Sequence, residues 1–135
     1  MWVPVKIEDL RAQVDRMPFN KLLGIHVRRL HSDGLTIECA LRPELMNLAG
    51  VLHGGVLASL ADAAVGIALQ RHFGGKRPIT TVELKINYLR PVSEGKVRAR
   101  AKLLKVGTKL GVGTVELKNG SGKLVAAALL SYMLL

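Results

Sequence analysis

The chain has 135 residues, enough to bury one core without disulfides or metal staples and too few for an array of domains. Its 20 Lys and Arg against 10 Asp and Glu leave a net charge of +10, which draws anionic partners by long-range steering. No basic run reaches five residues, however, and the aromatics Trp2, Phe19, Phe73, Tyr88 and Tyr132 stand apart, so the stacking platform of a nucleic-acid binder is missing and no nucleic-acid partner is expected.

The N-terminal "MWVPVKIEDLRAQVDRM" carries charges throughout and lacks the apolar core of a signal peptide, so a cytoplasmic location is expected. Within it Ile7, Leu10, Val14 and Met17 recur at helical spacing, with acids early and Pro18 after them, which predicts a short amphipathic helix that the proline ends. This helical extension over residues 1–18 precedes the rest of a single domain spanning 1–135. "IHVRRLH" and "LTIECAL" read as two strands joined by "SDG", with glycine in the left-handed position of a tight turn. The one cysteine, Cys39, keeps step with Leu35, Ile37 and Leu41 and is expected to be buried; an unpaired cysteine also suits a reducing compartment.

A loop with Pro43 and Asn47 follows. Residues 45–61 contain no Lys, Arg, Asp or Glu, but they include Asn47, His53 and three glycines and stop at Asp62, short of a comfortable membrane span. No membrane partner is expected. The run from Gly54 to about Gln70 is instead a buried helix whose apolar residues surround its axis, closed by "FGGKRP".

Everything beyond reads as strand. "TVELKINYL" alternates, with Val82, Leu84, Ile86 and Tyr88 on a buried face and Thr81, Glu83, Lys85 and Asn87 on the other. "KVRARAKL" sets Val97, Ala99, Ala101 and Leu103 opposite Lys96, Arg98, Arg100 and Lys102. "GVGTVELK" and "KLVAAALLSYM" flank "NGSG", whose Asn-Gly pair signals a hairpin. The fold class is therefore α+β: one curved antiparallel sheet wrapped around one long central helix, each covering the other's apolar surface. Because the helix is apolar nearly all round, a second subunit is expected to cover what the sheet does not.

Asp62 is the one acid in that helix, with Gly55, Ala58, Ser59, Val65, Gly66 and Leu69 on its side by the spacing of three and four. A carboxylate there must be paired, hydrogen-bonded or facing a cleft; the two readings are a structural acid and a general base or nucleophile. "HGG" just ahead places free N–H groups and the positive helix end where a glycine backbone lets a ligand approach, an oxyanion site worth about 3 kcal/mol per donor. Eight positions separate Gly54 from Asp62, about 12 Å along a helix axis. One carbonyl cannot reach both in one copy, so cooperation requires two antiparallel copies of the helix in a dimer. No metal is expected, since His26, His31, His53 and His72 lack ligand spacing, and Ser59 lacks a nucleophile elbow.

Asn47, His53, Gly54, Gly55 and Asp62, in the pattern N-x5-HGG-x7-D, followed by "TTVELKINYLRP", resemble the hotdog-fold acyl-CoA thioesterases of the PaaI-like (phenylacetate-pathway) group. The likeness runs from about Phe19 to the C-terminus. It implies a hotdog homodimer, often paired into a homotetramer, that hydrolyses an acyl-CoA substrate. Asp62 would be base or nucleophile, Gly54 the oxyanion donor, Asn47 and His53 holders of thioester or water, and Thr81 a residue that orients water. Gly55 would line the substrate site. No cofactor is needed beyond the coenzyme A of the substrate, because thiolate is a good leaving group. Arg90, Arg71, Lys76 and Arg77, the last three beside His72, are candidates for the coenzyme A phosphates. A non-catalytic acyl-CoA sensor on the same fold is the alternative.

Overall fold

A computed structural model describes residues 6 to 135; Trp2 and the start of the N-terminal extension lie outside the described residues. Helix α1 (Ile7–Arg16) buries Leu10 and Val14. It stops where Met17 turns extended, at φ −75° and ψ 119°, because a residue before proline is pushed out of the helical region. Pro18 then does more than end a helix. It stands at the first position of a second one, α2 (Pro18–Leu23), where its fixed φ and missing N–H are harmless. Gly24, at φ 74°, closes α2 in the left-handed conformation.

Strands β1 (Ile25–His31) and β2 (Gly34–Ala40) form the first hairpin. Gly34 is not among the glycines with positive φ, contrary to the expectation from "SDG". It is required by close approach instead: a Cβ there would lie 2.0 Å from the carbonyl oxygen of Ala101 on the neighbouring strand. Cys39 is buried as its spacing predicts, and burial pushes its thiol pKa up.

After a 3-10 turn at Pro43–Leu45 comes α3 (Gly54–His72), then β3 (Ile79–Tyr88), β4 (Lys96–Val106), β5 (Leu110–Lys118) and β6 (Leu124–Leu134). The strands make one antiparallel sheet in the order β1-β2-β4-β5-β6-β3. The sheet curls around α3 and buries Leu60, Ala61, Ala64, Val65 and Leu69 of the helix against Ile37, Val97, Ala99, Leu117 and Leu130. Each such side chain removed from water is worth about 1.5–3 kcal/mol for the larger aliphatics. Among the described residues no helix is long and apolar enough to cross a membrane.

Val65 and Leu69, placed beside Asp62 by spacing alone, point into the sheet and are fully buried. The stripe of α3 left uncovered is small and polar instead: Ser59, Asp62, Ala63, Gly66 and Gln70 are half-buried. The helix therefore does not present the large apolar face that its composition suggests.

Two strand expectations also change. On β3, Thr81 pairs with Tyr132 but Glu83 pairs with Ser131, so Val82 is an extra residue in a bulge. The bulge reverses the alternation: Val82 is 56% exposed, while Thr81 shares the helix-facing side with Leu84 and Ile86. The β5–β6 connection is a longer loop, not a two-residue Asn-Gly turn. Asn119 Oδ1 accepts from the N–H groups of Ser121 and Lys123, and Gly122, not Gly120, has positive φ. On the outer face, Arg28, Lys96 and Arg98 converge on Glu38, and Arg100 pairs with Asp33, which accounts for much of the alternating basic stripe.

Candidate active site

Asp62 sits at the middle of α3, on the uncovered stripe. Its Oδ1 accepts a hydrogen bond from Thr81 Oγ1 at 2.8 Å and another from the Tyr132 hydroxyl at 2.6 Å. The Tyr132 hydroxyl is also 2.5 Å from the main-chain carbonyl oxygen of Asp62. No cation pairs with the carboxylate, and no donor meets Oδ2 among the described residues. An oxygen so placed keeps its lone pairs for a water or an electrophile.

Beside the carboxylate lies a cavity of about 320 Å³. Thr81, Tyr132 and Gln70 give it polar atoms; Met17 and Phe19, at the α1–α2 junction, and Ile67 and Ile79 give it apolar walls. The mix suits a site that holds an apolar group next to a carboxylate.

At the start of α3 the geometry is of another kind. His53 is the N-cap residue, with its Nδ1 accepting from the Gly55 N–H at 2.9 Å. An accepting Nδ1 leaves the ring proton on Nε2, which therefore donates outward from an exposed position. The Gly55 N–H is thus already used, and its carbonyl accepts from Ser59. The Gly54 N–H has no acceptor among the described residues. It lies at the positive end of a helix dipole, the arrangement of an oxyanion donor. Tyr88 seals this tip: its hydroxyl donates to the Gly54 carbonyl at 2.9 Å, and its ring lies so close that a Cβ on Gly54 would be 3.2 Å away.

Asn47 shapes the loop ahead of the helix. Its Oδ1 accepts from the N–H groups of Ala49 and Val51 at 2.9 and 3.2 Å, so its amide N–H₂ is the part left to face a ligand. Arg90 is exposed and lines a hollow with Gly54 and Tyr88. Lys76 is exposed beyond the far end of α3. Arg71 and Arg77 have other tasks. The buried Arg71 guanidinium donates to the carbonyls of His31 and Gly34 at 2.7 and 2.8 Å, pinning the β1–β2 turn to α3. Arg77 donates to the carbonyls of Thr108, Leu134 and Leu135 and so ties down the C-terminal strand. The commitment of these two guanidinium groups to main-chain carbonyls sets them apart from the exposed Arg90.

The sequence profile of the thioesterase superfamily matches residues 49–126, the segment that holds the helix tip, Asp62, Thr81 and the hollow at Arg90. The chain belongs to the thioesterase superfamily. Its hotdog fold is shared with solved members: thioesterase HI1161 from Haemophilus influenzae superposes with a TM-score of 0.91 at 26% identity, over 99% of this chain and 94% of that one. A mutant of the phenylacetic acid degradation protein PaaI from Thermus thermophilus superposes at 0.79, with 29% identity over 87% of this chain and 99% of that one. In sequence, the medium/long-chain acyl-CoA thioesterase YigI of Escherichia coli strain K12 is 31% identical, over 89% of this chain and 87% of that protein.

Within this thioesterase-superfamily fold, the residue that sequence reasoning passed over is Tyr132. Its position among Leu130 and Leu134 on β6 is that of an ordinary core aromatic. Only the pairing of β6 with β3, which puts it opposite Thr81, brings its hydroxyl to Asp62.

Proposed function

We propose that the protein hydrolyses an acyl-CoA thioester to free acid and coenzyme A, at sites formed between two antiparallel copies of the chain. Asp62 of one copy supplies the base or nucleophile, and the Gly54 N–H of the other stabilises the oxyanion. The observation that carries this reading is the state of Asp62: a carboxylate with no cation beside it, held by Thr81 and Tyr132 through one oxygen only, at the edge of a cavity with apolar walls. A fully buried structural acid would use both oxygens or pair with a base; the half-buried Asp62 does neither and borders the cavity.

In the reaction, Oδ2 takes a proton from a water that adds to the thioester carbon, or itself adds to that carbon. The carbonyl electrons move onto oxygen, which meets the Gly54 N–H; they return as the C–S bond breaks and coenzyme A leaves as thiolate, whose proton comes from Asp62 in the base route and from the water of the second step in the nucleophilic route. In the nucleophilic route, water then hydrolyses the acyl–Asp62 anhydride and regenerates the carboxylate. His53 Nε2–H and the Asn47 amide are donors for the thioester or water, and the exposed Gly55 backbone borders the substrate. Arg90 and Lys76 serve the coenzyme A phosphates. The pairing of copies follows from the rise of a helix: about 12 Å separates Gly54 from Asp62 along α3. The names and folds of the relatives support thioester chemistry, and a homodimer, paired further into a homotetramer, is part of the proposal.

Thiol release from a panel of acyl-CoAs tests the function. Turnover that falls by 10²-fold or more in Asp62→Asn supports it; saturable binding with no turnover on any member would favour the acyl-CoA sensor. Mixing Asp62→Ala chains with chains altered at Gly54 tests the shared site, since mixed dimers regain one intact site and part of the activity.

A further inference from the structure

We propose that Tyr132 is a positioning residue for Asp62: with Thr81 it fixes the carboxylate by Oδ1 and reserves Oδ2 for the reaction, a role that rests on the reading of Asp62 given above. Tyr132 is 4% exposed and lies on the inner face of β6. For packing alone a phenyl ring would serve, as the aliphatic neighbours Leu130 and Leu134 show. The hydroxyl has a more specific setting, lying 2.6 Å from Asp62 Oδ1 and 2.5 Å from the Asp62 carbonyl oxygen.

Room for that oxygen is built into the helix. A Cβ on Gly66 would lie 3.0 Å from the Tyr132 hydroxyl, so any side chain at 66 would crowd it. A buried hydroxyl next to a carboxylate must donate or leave both groups poorly satisfied. Burial first, and the Asp62 carboxylate second, push the Tyr132 pKa above the ordinary phenol range, so the hydroxyl keeps its proton at any working pH.

The electrical surroundings are simple. From α2, α3, β3 and β6, the groups lining the cavity that can titrate are Asp62 and Tyr132 alone. Thr81 and Tyr132 therefore tune Asp62 as hydrogen-bond donors, without competing charges in the cavity. Each donor fixes the orientation of the carboxylate, and loss of one leaves it freer to turn.

The test is a double-mutant cycle of steady-state thiol release on the best acyl-CoA, with Tyr132→Phe, Asp62→Asn and the two together, and thermal melts alongside. The expected result is a kcat about tenfold lower in Tyr132→Phe with KM nearly unchanged, and no further loss when the same change is made in Asp62→Asn, because a residue that acts through Asp62 has nothing left to position. A wild-type kcat in Tyr132→Phe, or an equal loss with and without the Asp62 carboxylate, would overturn the proposal. Full turnover in Asp62→Asn alone would instead refute the reading of Asp62 on which it rests. If Tyr132→Phe does not fold, Gly66→Ala, which crowds the same hydroxyl, must lower kcat in the same way and lose that effect in Asp62→Asn.

Discussion

Thr81 and Tyr132 stand opposite each other on β3 and β6, and their hydroxyls both end on Asp62 Oδ1. The arrangement depends on the Val82 bulge. In a regular strand Thr81 would share a face with Glu83, on the side away from the helix. One extra residue turns it inward.

Thr81→Val keeps the shape of the side chain and removes a donor to Asp62. It is expected to lower kcat by ten- to a hundred-fold, about the worth of one charge-assisted hydrogen bond, with little change in melting temperature. Glu83→Gln, one position beyond the bulge on the outer face, is expected to leave kcat unchanged. Steady-state thiol release and thermal melts on both variants check the pair; equal losses in the two would refute the inward placement of Thr81.

The basic residues divide by what their guanidinium groups touch. Arg90 lines the hollow at Gly54 and is exposed, so Arg90→Ala is expected to raise KM for acyl-CoA several-fold, more at low salt, with the melting temperature held. Arg71→Ala deprives two main-chain carbonyls of their donor and is expected to cost about 3 kcal/mol of stability. Kinetics paired with chemical denaturation separate the two behaviours.

Two glycines make opposite forecasts. Gly34→Ala drives a Cβ into the Ala101 carbonyl and should destabilise by about 3 kcal/mol, near 10 °C in melting temperature for a chain of this size. Gly120→Ala meets open space at an ordinary φ and should shift the melt by no more than about 2 °C. A large loss at Gly120 would restore the two-residue Asn-Gly turn.

Acid stability follows from two carboxylates on the outer face. The hydrogen bond from Arg100 holds Asp33 below the usual carboxylate range. Burial would raise Glu38, but hydrogen bonds from Arg98 and Lys96 outweigh it and hold it low as well. Folded pKa values below the unfolded ones mean stability that is present above the ordinary carboxylate pKa, near 4, and lost as pH falls through the folded values. The melting temperature of the wild type should therefore drop below about pH 4. In Glu38→Gln that drop should be shallower, a comparison that differential scanning fluorimetry across pH can make.

Much of the architecture was legible because hydrophobic periodicity and punctuation are local. The alternation in "KVRARAKL", the charge-free run ended by Asp62 and the glycines after His72 each mark their element within a few residues. The helix α2 was not legible, since six residues show too little periodicity and Pro18 reads equally as an end or a start. The bulge at Val82 was hidden for the opposite reason: "TVELKINYL" alternates so regularly that nothing marks an extra residue.

An antiparallel sheet around one apolar helix, a lone acid in that helix and a glycine-opened tip follow from residue types and short spacings alone. Tertiary structure decided which oxygen of Asp62 is engaged and by whom. It also turned Arg71 and Arg77 onto the protein's own carbonyls and sent Val65 and Leu69 into the core. Those outcomes rest on strand order, register and one bulge, which join residues as far apart as Asp62 and Tyr132; such long-range contacts are set by the competition among all burial surfaces at once, and no local pattern encodes them.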